Sequence, residues 1–249
     1  RSTLFPYTTL FRSSYFYTGV TEGNIGSARI IKMLNVIDDS LVVEHKGIYS
    51  LENYLTTRRL MYWQVYLHRT CVAYEKVLVN MLNRAKYLLR NGQQVFASPA
   101  LLYFLANDVD KVWFDTHPET LVNYGELDDS DIWSAMKAWK HHDDKILATL
   151  ATDMLDRHIF KVEVTEEPVD ETHIETIAKE ISAQMEISID DAKQYMMSVN
   201  TISKDMYNVD DDSIAILYKD GKIRDISEAS ELLNVQLLSK KIRKYYLCY

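Results

Sequence analysis

Two arginines and two tyrosines in the first third of the chain have the types and spacing of a phosphate-binding site: Arg58, Tyr62, Tyr66 and Arg69. At about 100° per residue, helix positions 58, 62, 65 and 69 fall within a stripe of roughly 60°, with Tyr66 at its edge. Guanidinium groups bind phosphate oxygens, and tyrosine rings offer faces against which a sugar or base can pack. The pattern therefore indicates a ligand that carries phosphate and a ring. The alternative is an amphipathic helix with half-buried tyrosines and solvated arginines.

One long helix would have to position these side chains. Ser50 is its predicted N-cap, and Asn91 followed by Gly92 is typical of a helix end. Residues 51–90 contain neither proline nor glycine. A continuous helix of that length would span about 60 Å.

The rest of the chain predicts a mainly α fold with a small α+β region. Further helices are predicted over residues 28–34, 98–107, 128–141, 144–158, 172–184 and 190–199. Strands are predicted as a pair within 37–47 with a turn at Lys46 and Gly47, and then over 161–165, 201–207, 213–218 and 240–246, with a hairpin turn at Asp220 and Gly221. We expect a helical body over 14–158 and an α+β appendage over 159–249.

The order of these features resembles that of HD-domain phosphohydrolases, in particular the deoxynucleoside triphosphate triphosphohydrolases (dGTPase-like enzymes). Residues Thr57–Arg69 resemble the long helix that follows the family's catalytic core. Residues Tyr15–Val20 resemble the stretch after its last metal-binding aspartate, and Asp128–Lys161 resemble its later helices and their exit into a strand. The resemblance covers residues 13–165 in order.

The resemblance implies roles for the four candidate residues. Arg58 would pair with phosphate oxygens, and Tyr66 would pack beside the sugar and disfavour a 2′-hydroxyl. Tyr62 and Arg69 would lie nearby in the pocket. In such enzymes a metal-activated water or hydroxide attacks the phosphate and releases triphosphate and a nucleoside. The implied cofactor of the full-length parent is a divalent transition metal or magnesium, and the implied partner is a deoxynucleotide.

The chain also departs from the family pattern. The family holds its metal with a histidine, an adjacent His-Asp pair and a later aspartate, all upstream of the region resembling Gly19, and the chain shows no such set there. Residues 1–13 resemble translated sequencing-adapter read-through, and we expect them to be an artefactual segment that is no part of the native fold. We therefore expect the C-terminal part of a phosphohydrolase, with no catalytic or metal-binding residues of its own and no activity alone.

A second pattern could be mistaken for a metal site. Residues 140–144 read Lys-His-His-Asp-Asp, with His117 upstream and Asp191 downstream. Imidazole and carboxylate together suit a transition metal. The position, however, resembles the family's late helices and not its metal core. The favoured interpretation is a helix junction at which Asp143 or Asp144 caps the following helix.

Composition limits the class of function and the expected location. The net charge of −8 argues against broad nucleic-acid binding, which depends on positive potential. The two cysteines are Cys71, expected to be packed within the long helix, and Cys248, and such sparse use indicates a reducing compartment. No apolar run has membrane-spanning length, so we expect a cytoplasmic protein. We also expect a homo-oligomer. The alternative function is a non-enzymatic helical oligomerisation or interaction module.

Overall fold

A computed structural model describes residues 13–23, 25–204, 213–230 and 242–249. The chain forms two compact units, Arg1–Cys71 with Ile202–Lys244 and Val72–Thr201 with Tyr245–Tyr249. The predicted mainly α fold is confirmed. Residues 1–12 of the adapter-like segment lie outside the described residues, as do 205–207 and 240–241 of two predicted strands.

The secondary structure consists of helices with short strands between them. The helices are α1 (13–18), α2 (Ser27–Lys32), α3 (Ile48–Met61), α4 (Arg69–Arg90), α5 (Pro99–Ala106), α6 (Lys111–Thr116), α7 (Glu119–Glu126), α8 (Asp129–Trp139), α9 (Lys145–Asp156), α10 (Glu171–Met185), α11 (Ile189–Tyr195) and α12 (Ile226–Ala229). The strands are β1 (Leu34–Ile37), β2 (Ser40–Glu44), β3 (Val162–Thr165), β4 (Ser198–Lys204), β5 (Ala215–Leu217), β6 (Ile223–Asp225) and β7 (Ile242–Cys248). Two 3₁₀ turns occupy Thr21–Gly23 and His45–Gly47, and a π-helix occupies Tyr62–Tyr66.

The first unit packs α3 against a four-stranded sheet of order β1-β2-β5-β6. Strands β1 and β2 form an antiparallel hairpin, and β2 pairs with β5 in parallel. The hairpin turns at Asp38 and Asp39, both with positive φ, which short polar side chains tolerate better than most. The predicted turn at Lys46 and Gly47 lies within the 3₁₀ turn His45–Gly47, but it leads from β2 into α3 and does not join the two strands. Gly47 instead lets the chain pass Met33 and Val43, because a Cβ there would meet each at 3.0 Å.

The uninterrupted helix predicted over residues 50–91 is also wrong. Helix α3 begins after Gly47, ends at Met61 and continues into the π-helix, and α4 starts at Arg69. The Leu67 N–H donates to the Tyr62 carbonyl over 2.7 Å, the i→i+5 bond of a wider π turn. Tyr62, Trp63, Val65 and Tyr66 crowd this turn with residues of modest helix propensity. The interruption involves no proline or glycine, so no breaker residue marks it.

The second unit is a set of helices around α4 and α8. Trp139, Met136, Leu147 and Met81 are fully buried in it, and the Trp139 indole N–H donates to the Phe96 carbonyl over 2.8 Å. The predicted helix starts at Ser98, Asp128 and Asp144 are confirmed, because each side chain accepts a backbone N–H of the first turn.

The last part of the chain returns to pair with β3. Strand β7 lies between β3 and β4, and Val162 pairs with Cys248 in the antiparallel register. Burial raises the pKa of Cys248 to about 11. The domain boundary predicted at residues 158–160 falls inside the second unit, which is continuous from residue 72 to residue 201.

Cys71 is exposed, so its predicted packing is wrong: it lies in the first turn of α4 and not in the middle of a long helix. Within the described part of the chain, none of the helices combines the length and the apolar character needed to cross a bilayer.

Candidate phosphate-binding site

Three of the four predicted ligand-binding residues lie side by side in the first unit. Arg58 is in the last turn of α3, and its guanidinium carbon lies 6.0 Å from the centroid of the Tyr62 ring. The rings of Tyr62 and Tyr66 meet edge to face with centroids 5.4 Å apart. Arg58, Tyr62 and Tyr66 thus form a continuous row, which we call the candidate site.

Ser14 of α1 holds the far end of this row. Its Oγ atom lies 3.1 Å from the Tyr66 hydroxyl oxygen, within hydrogen-bonding distance. Burial raises the pKa of Tyr66, and the Ser14 hydrogen bond lowers it by less. The Tyr66 side chain therefore remains a neutral phenol at physiological pH, able to donate a hydrogen bond.

The π-helix itself is tied to the preceding segment. The Gln64 side-chain amide donates to the Glu22 carboxylate over 3.3 Å. Backbone hydrogen bonding, followed by the Gln64 contact, lowers the pKa of Glu22. Ser14 and Glu22 were missed as supporting residues, because each lies more than 40 positions from its partner and no local pattern connects them.

Arg69 does not join the row. It is the exposed first residue of α4, beyond the π turn and the non-helical Leu67 and His68, and no contact is found between it and the other three among the described residues. The predicted stripe assumed a constant 100° per residue from position 58 to position 69. The π turn and the break after it change that angle.

A guanidinium beside an aromatic ring is a recurrent arrangement at sites that bind oxyanions. The ring face attracts the cation, and the guanidinium N–H groups can donate to carboxylate or phosphate oxygens. Arg59, also half-buried, follows Arg58 in the same helical turn and adds positive charge. The row can therefore offer charge for a phosphate at one end and tyrosine surface for a sugar at the other.

The His-Asp pattern at residues 140–144 is a helix junction. The Asp144 side chain accepts the Leu147 N–H over 2.8 Å, which confirms the predicted cap. His142 accepts the Asp144 N–H at Nδ1 (2.9 Å) and lies 3.1 Å from the Gln94 carbonyl through Nε2, which acts as donor in that tautomer. The flanking His117 stacks on Trp113 with ring centroids 3.9 Å apart.

Across the described ranges, no three or more His, Cys, Asp or Glu side chains lie together as metal ligands. The described residues thus do not fit the metal that the family resemblance implies.

Residues 25–101 match the family model of the HD associated region. The match includes Arg58, Tyr62 and Tyr66, all three residues of the candidate site. It begins beyond Ser14, which lies outside the matched segment.

Three known proteins are similar to almost the whole chain. A crystal structure of a phosphohydrolase from Bacteroides thetaiotaomicron VPI-5482 is 56% identical with a TM-score of 0.88, covering 97% of this chain and 60% of that one. The uncharacterized protein YwfO of Bacillus subtilis is 28% identical over 239 residues, covering 94% of this chain and 52% of the relative. A hypothetical protein from Aquifex aeolicus shares the fold alone, at 20% identity and a TM-score of 0.59 over 97% of this chain and 52% of that one.

The chain therefore spans about half the length of the curated relative and 60% of the Bacteroides protein. The HD associated match and the similarity to a phosphohydrolase support the coarser part of the prediction, a phosphohydrolase-like chain with an HD associated region.

Proposed function

We propose that this chain is the substrate-binding part of a metal-dependent HD-superfamily phosphohydrolase that cleaves deoxynucleoside triphosphates to nucleoside and triphosphate. The row of Arg58, Tyr62 and Tyr66 is the observation that carries the proposal. It lies within the HD-associated match, in a chain 56% identical to a phosphohydrolase.

Each residue of the row has a role in this proposal. Arg58 binds phosphate oxygens through its guanidinium N–H groups, and the Tyr62 ring attracts the guanidinium cation. Tyr66 packs against the deoxyribose, and Ser14 fixes its hydroxyl so that the ring cannot move aside for a 2′-hydroxyl. Arg69, exposed at the start of α4 and outside the row, adds positive charge to the same unit.

The metal belongs to the whole enzyme and not to the described residues of this chain. A guanidinium and two phenols can bind a triphosphate, but none of them is a base strong enough at neutral pH to activate water. We expect this chain alone to release no triphosphate from any of the four deoxynucleoside triphosphates with Mg²⁺, Mn²⁺ or Co²⁺ added. Release that a chelator abolishes would contradict this expectation.

Discrimination between deoxyribose and ribose tests the role of Tyr66. Equilibrium dialysis would give the affinity of the chain for each deoxynucleoside triphosphate and for its ribose counterpart. We expect Tyr66→Ala to reduce the preference for the deoxy form by roughly tenfold to a hundredfold, because steric rejection of one small group has about that size. Tyr49→Ala removes an exposed tyrosine of α3, in the same unit as Tyr66, and should leave the preference unchanged. An unchanged preference in Tyr66→Ala would remove Tyr66 from the sugar contact.

The alternative function, a helical interaction module, gains support from an exposed apolar face on α6 and α7. The two functions are compatible, because the candidate site and this face belong to different compact units. The predicted homo-oligomer stays a prediction, and sedimentation of the chain tests it.

A further inference from the structure

Five apolar side chains are exposed on two neighbouring short helices of the second unit. They are Val112 and Phe114 of α6 and Leu121, Val122 and Tyr124 of α7. All except Phe114 expose between 62% and 68% of their surface. The rings of Phe114 and Tyr124 meet edge to face with centroids 6.2 Å apart, so the two helices present one surface. We call these five residues the α6–α7 face.

Polar contacts on the inner side hold the two helices in this orientation. Thr120 of α7 is fully buried, and its hydroxyl lies 2.7 Å from the hydroxyl of Tyr103 in α5. The Trp113 indole N–H of α6 donates to the same Tyr103 hydroxyl over 3.0 Å. An ordinary surface helix turns its apolar side inward, whereas α7 turns a polar group inward and apolar groups outward. Exposed apolar clusters of this kind mark interaction sites.

Gly125 lies on the outward side of α7, one turn from Leu121 and Val122. A Cβ at this position would have no heavy atom within 4 Å, so packing within the chain does not require glycine. Glycine inside a helix costs about 0.5–1 kcal/mol relative to alanine. Because Gly125 has no side chain, the surface beside its apolar neighbours is flat, and another backbone can approach it closely.

The surroundings of the face are strongly acidic. Residues 108–131 contain eight aspartates and glutamates and one lysine. Asp108 is neutralised by Lys86 and Arg90. Exposed acids remain beside the face at Asp115, Glu119, Glu126 and Asp129.

We propose that the α6–α7 face binds a protein partner through an amphipathic helix whose apolar side is flanked by lysines or arginines. The apolar stripe of such a helix would cover the five exposed side chains, and its basic flanks would meet the acidic surroundings. A second copy of this chain fits poorly, because a two-fold contact would bring identical acidic rims together. An anionic membrane would be repelled by the same charges.

A designed peptide tests this chemistry. The probe is a fluorescein-labelled 18-residue leucine-lysine peptide with leucines at helical i, i+3, i+4 and i+7 spacing, and the matched control has glutamate for every lysine. Fluorescence anisotropy with the full chain should show the lysine peptide binding at micromolar concentrations and more weakly in high salt, as expected for opposite charges. The glutamate peptide should not bind.

Variants of the chain locate the contact. Gly125→Arg and Leu121→Ser should each weaken binding of the lysine peptide at least tenfold. Gly125→Ala, which adds only a methyl group, should weaken binding less than Gly125→Arg does. Tyr49→Ser, which removes an exposed ring from the other unit, should stay within about threefold of wild type. All three substituted positions are exposed, and circular dichroism would confirm that each of the four variants folds.

Three results would overturn the proposal. The first is binding of the lysine peptide that Gly125→Arg and Leu121→Ser leave unchanged, or that Tyr49→Ser weakens equally. The second is a dimer of the wild-type chain in sedimentation that Leu121→Ser dissociates, which would assign the face to a second copy. The third is capture of the chain by phosphatidylserine vesicles that Leu121→Ser abolishes.

Discussion

Arg84 connects three helices of the second unit through its guanidinium group. It contacts Asp144 at 2.7 Å and Asp191 at 2.9 Å, and lies over the rings of Tyr87 and Tyr195. Burial alone would lower the pKa of Arg84, but hydrogen bonds and attraction from Asp144 and then Asp191 raise it. The arginine therefore stays charged, and α4, α9 and α11 share one ion-pair network.

We predict that Arg84→Met destabilises the chain by about 3 kcal/mol in urea unfolding at pH 7. The substitution keeps apolar volume but leaves two partly buried carboxylates without their cation. Arg90→Met is the matched control on the same helix. Arg90 pairs with the exposed Asp108, and its loss should change stability little. Equal stability of the two variants would contradict this account of the network.

The difference in the free energy of unfolding between the wild-type chain and Arg84→Met should depend on pH. Burial raises the pKa of Asp144, but the Arg84 and Leu147 hydrogen bonds outweigh this and hold it below the ordinary value of 3.8. A carboxylate whose pKa is lower in the folded state than in the unfolded state stabilises the fold at pH values above its unfolded-state pKa. This stabilisation is lost as the pH falls through its folded-state pKa. The stability difference should be constant above about pH 5 and narrow below pH 4. A constant difference down to pH 3 would contradict the assignment.

At the level of single residues, the sequence predicted part of the candidate site. Arg58, Tyr62 and Tyr66 lie together because they span one short stretch of chain, where local periodicity is informative. Arg69 lies apart because the π turn between the two helices cannot be read from residue types. Ser14 and the Arg84 network were missed, since their partners are distant in sequence and only the tertiary fold joins them.

At the level of elements, capping residues predicted some helix starts and not others. Ser98 and Asp144 each accept a first-turn N–H, so the starts of α5 and α9 follow from local chemistry. The predicted N-cap Ser50 is wrong, because it lies inside α3, which begins at Ile48. Helices α6 and α7 were not predicted. Their apolar residues face outward, and the periodicity of a buried stripe is therefore lacking.

The Ser98 cap offers a direct test of this local control. Its hydroxyl accepts the Leu101 N–H over 3.2 Å, just before Pro99 begins α5. We predict that Ser98→Ala lowers the free energy of unfolding by about 1 kcal/mol and that Ser98→Gly lowers it by only a few tenths. Thermal and urea unfolding of both variants measure the difference. A glycine variant less stable than the alanine variant would show that the cap is not the relevant contact.

At the level of the whole molecule, the two compact units are not two consecutive stretches of the chain. The predicted appendage begins where composition changes, near residue 159, yet β3 of that region pairs with β7 at the far end of the chain. Residues 202–244 group with the first 71 residues, and residues 245–249 return to the second unit. These returns of the chain between the two units depend on pairing between strands that are distant in sequence. The alternating pattern of a short strand does not indicate which other strand it pairs with.

The proposed function depends on the row of Arg58, Tyr62 and Tyr66 and on its place in the chain. A row of three side chains is held by α3 and the π-helix, within a segment matching the HD associated region, in a chain that covers 60% of a similar phosphohydrolase. Binding of the substrate's phosphate by Arg58 is the step on which the proposal depends.

Equilibrium dialysis tests the binding of phosphate by Arg58 most directly. It would measure the affinity of wild type, Arg58→Ala and Arg29→Ala for each of the four deoxynucleoside triphosphates. Loss of a charge-assisted hydrogen bond is worth about 1.5–3 kcal/mol, so Arg58→Ala should weaken binding by roughly tenfold to a hundredfold. Arg29→Ala removes an exposed arginine of α2 in the same unit and should bind as wild type does. Equal affinity of the wild-type and Arg58→Ala chains, or a wild-type chain that binds none of the four nucleotides, would contradict the account.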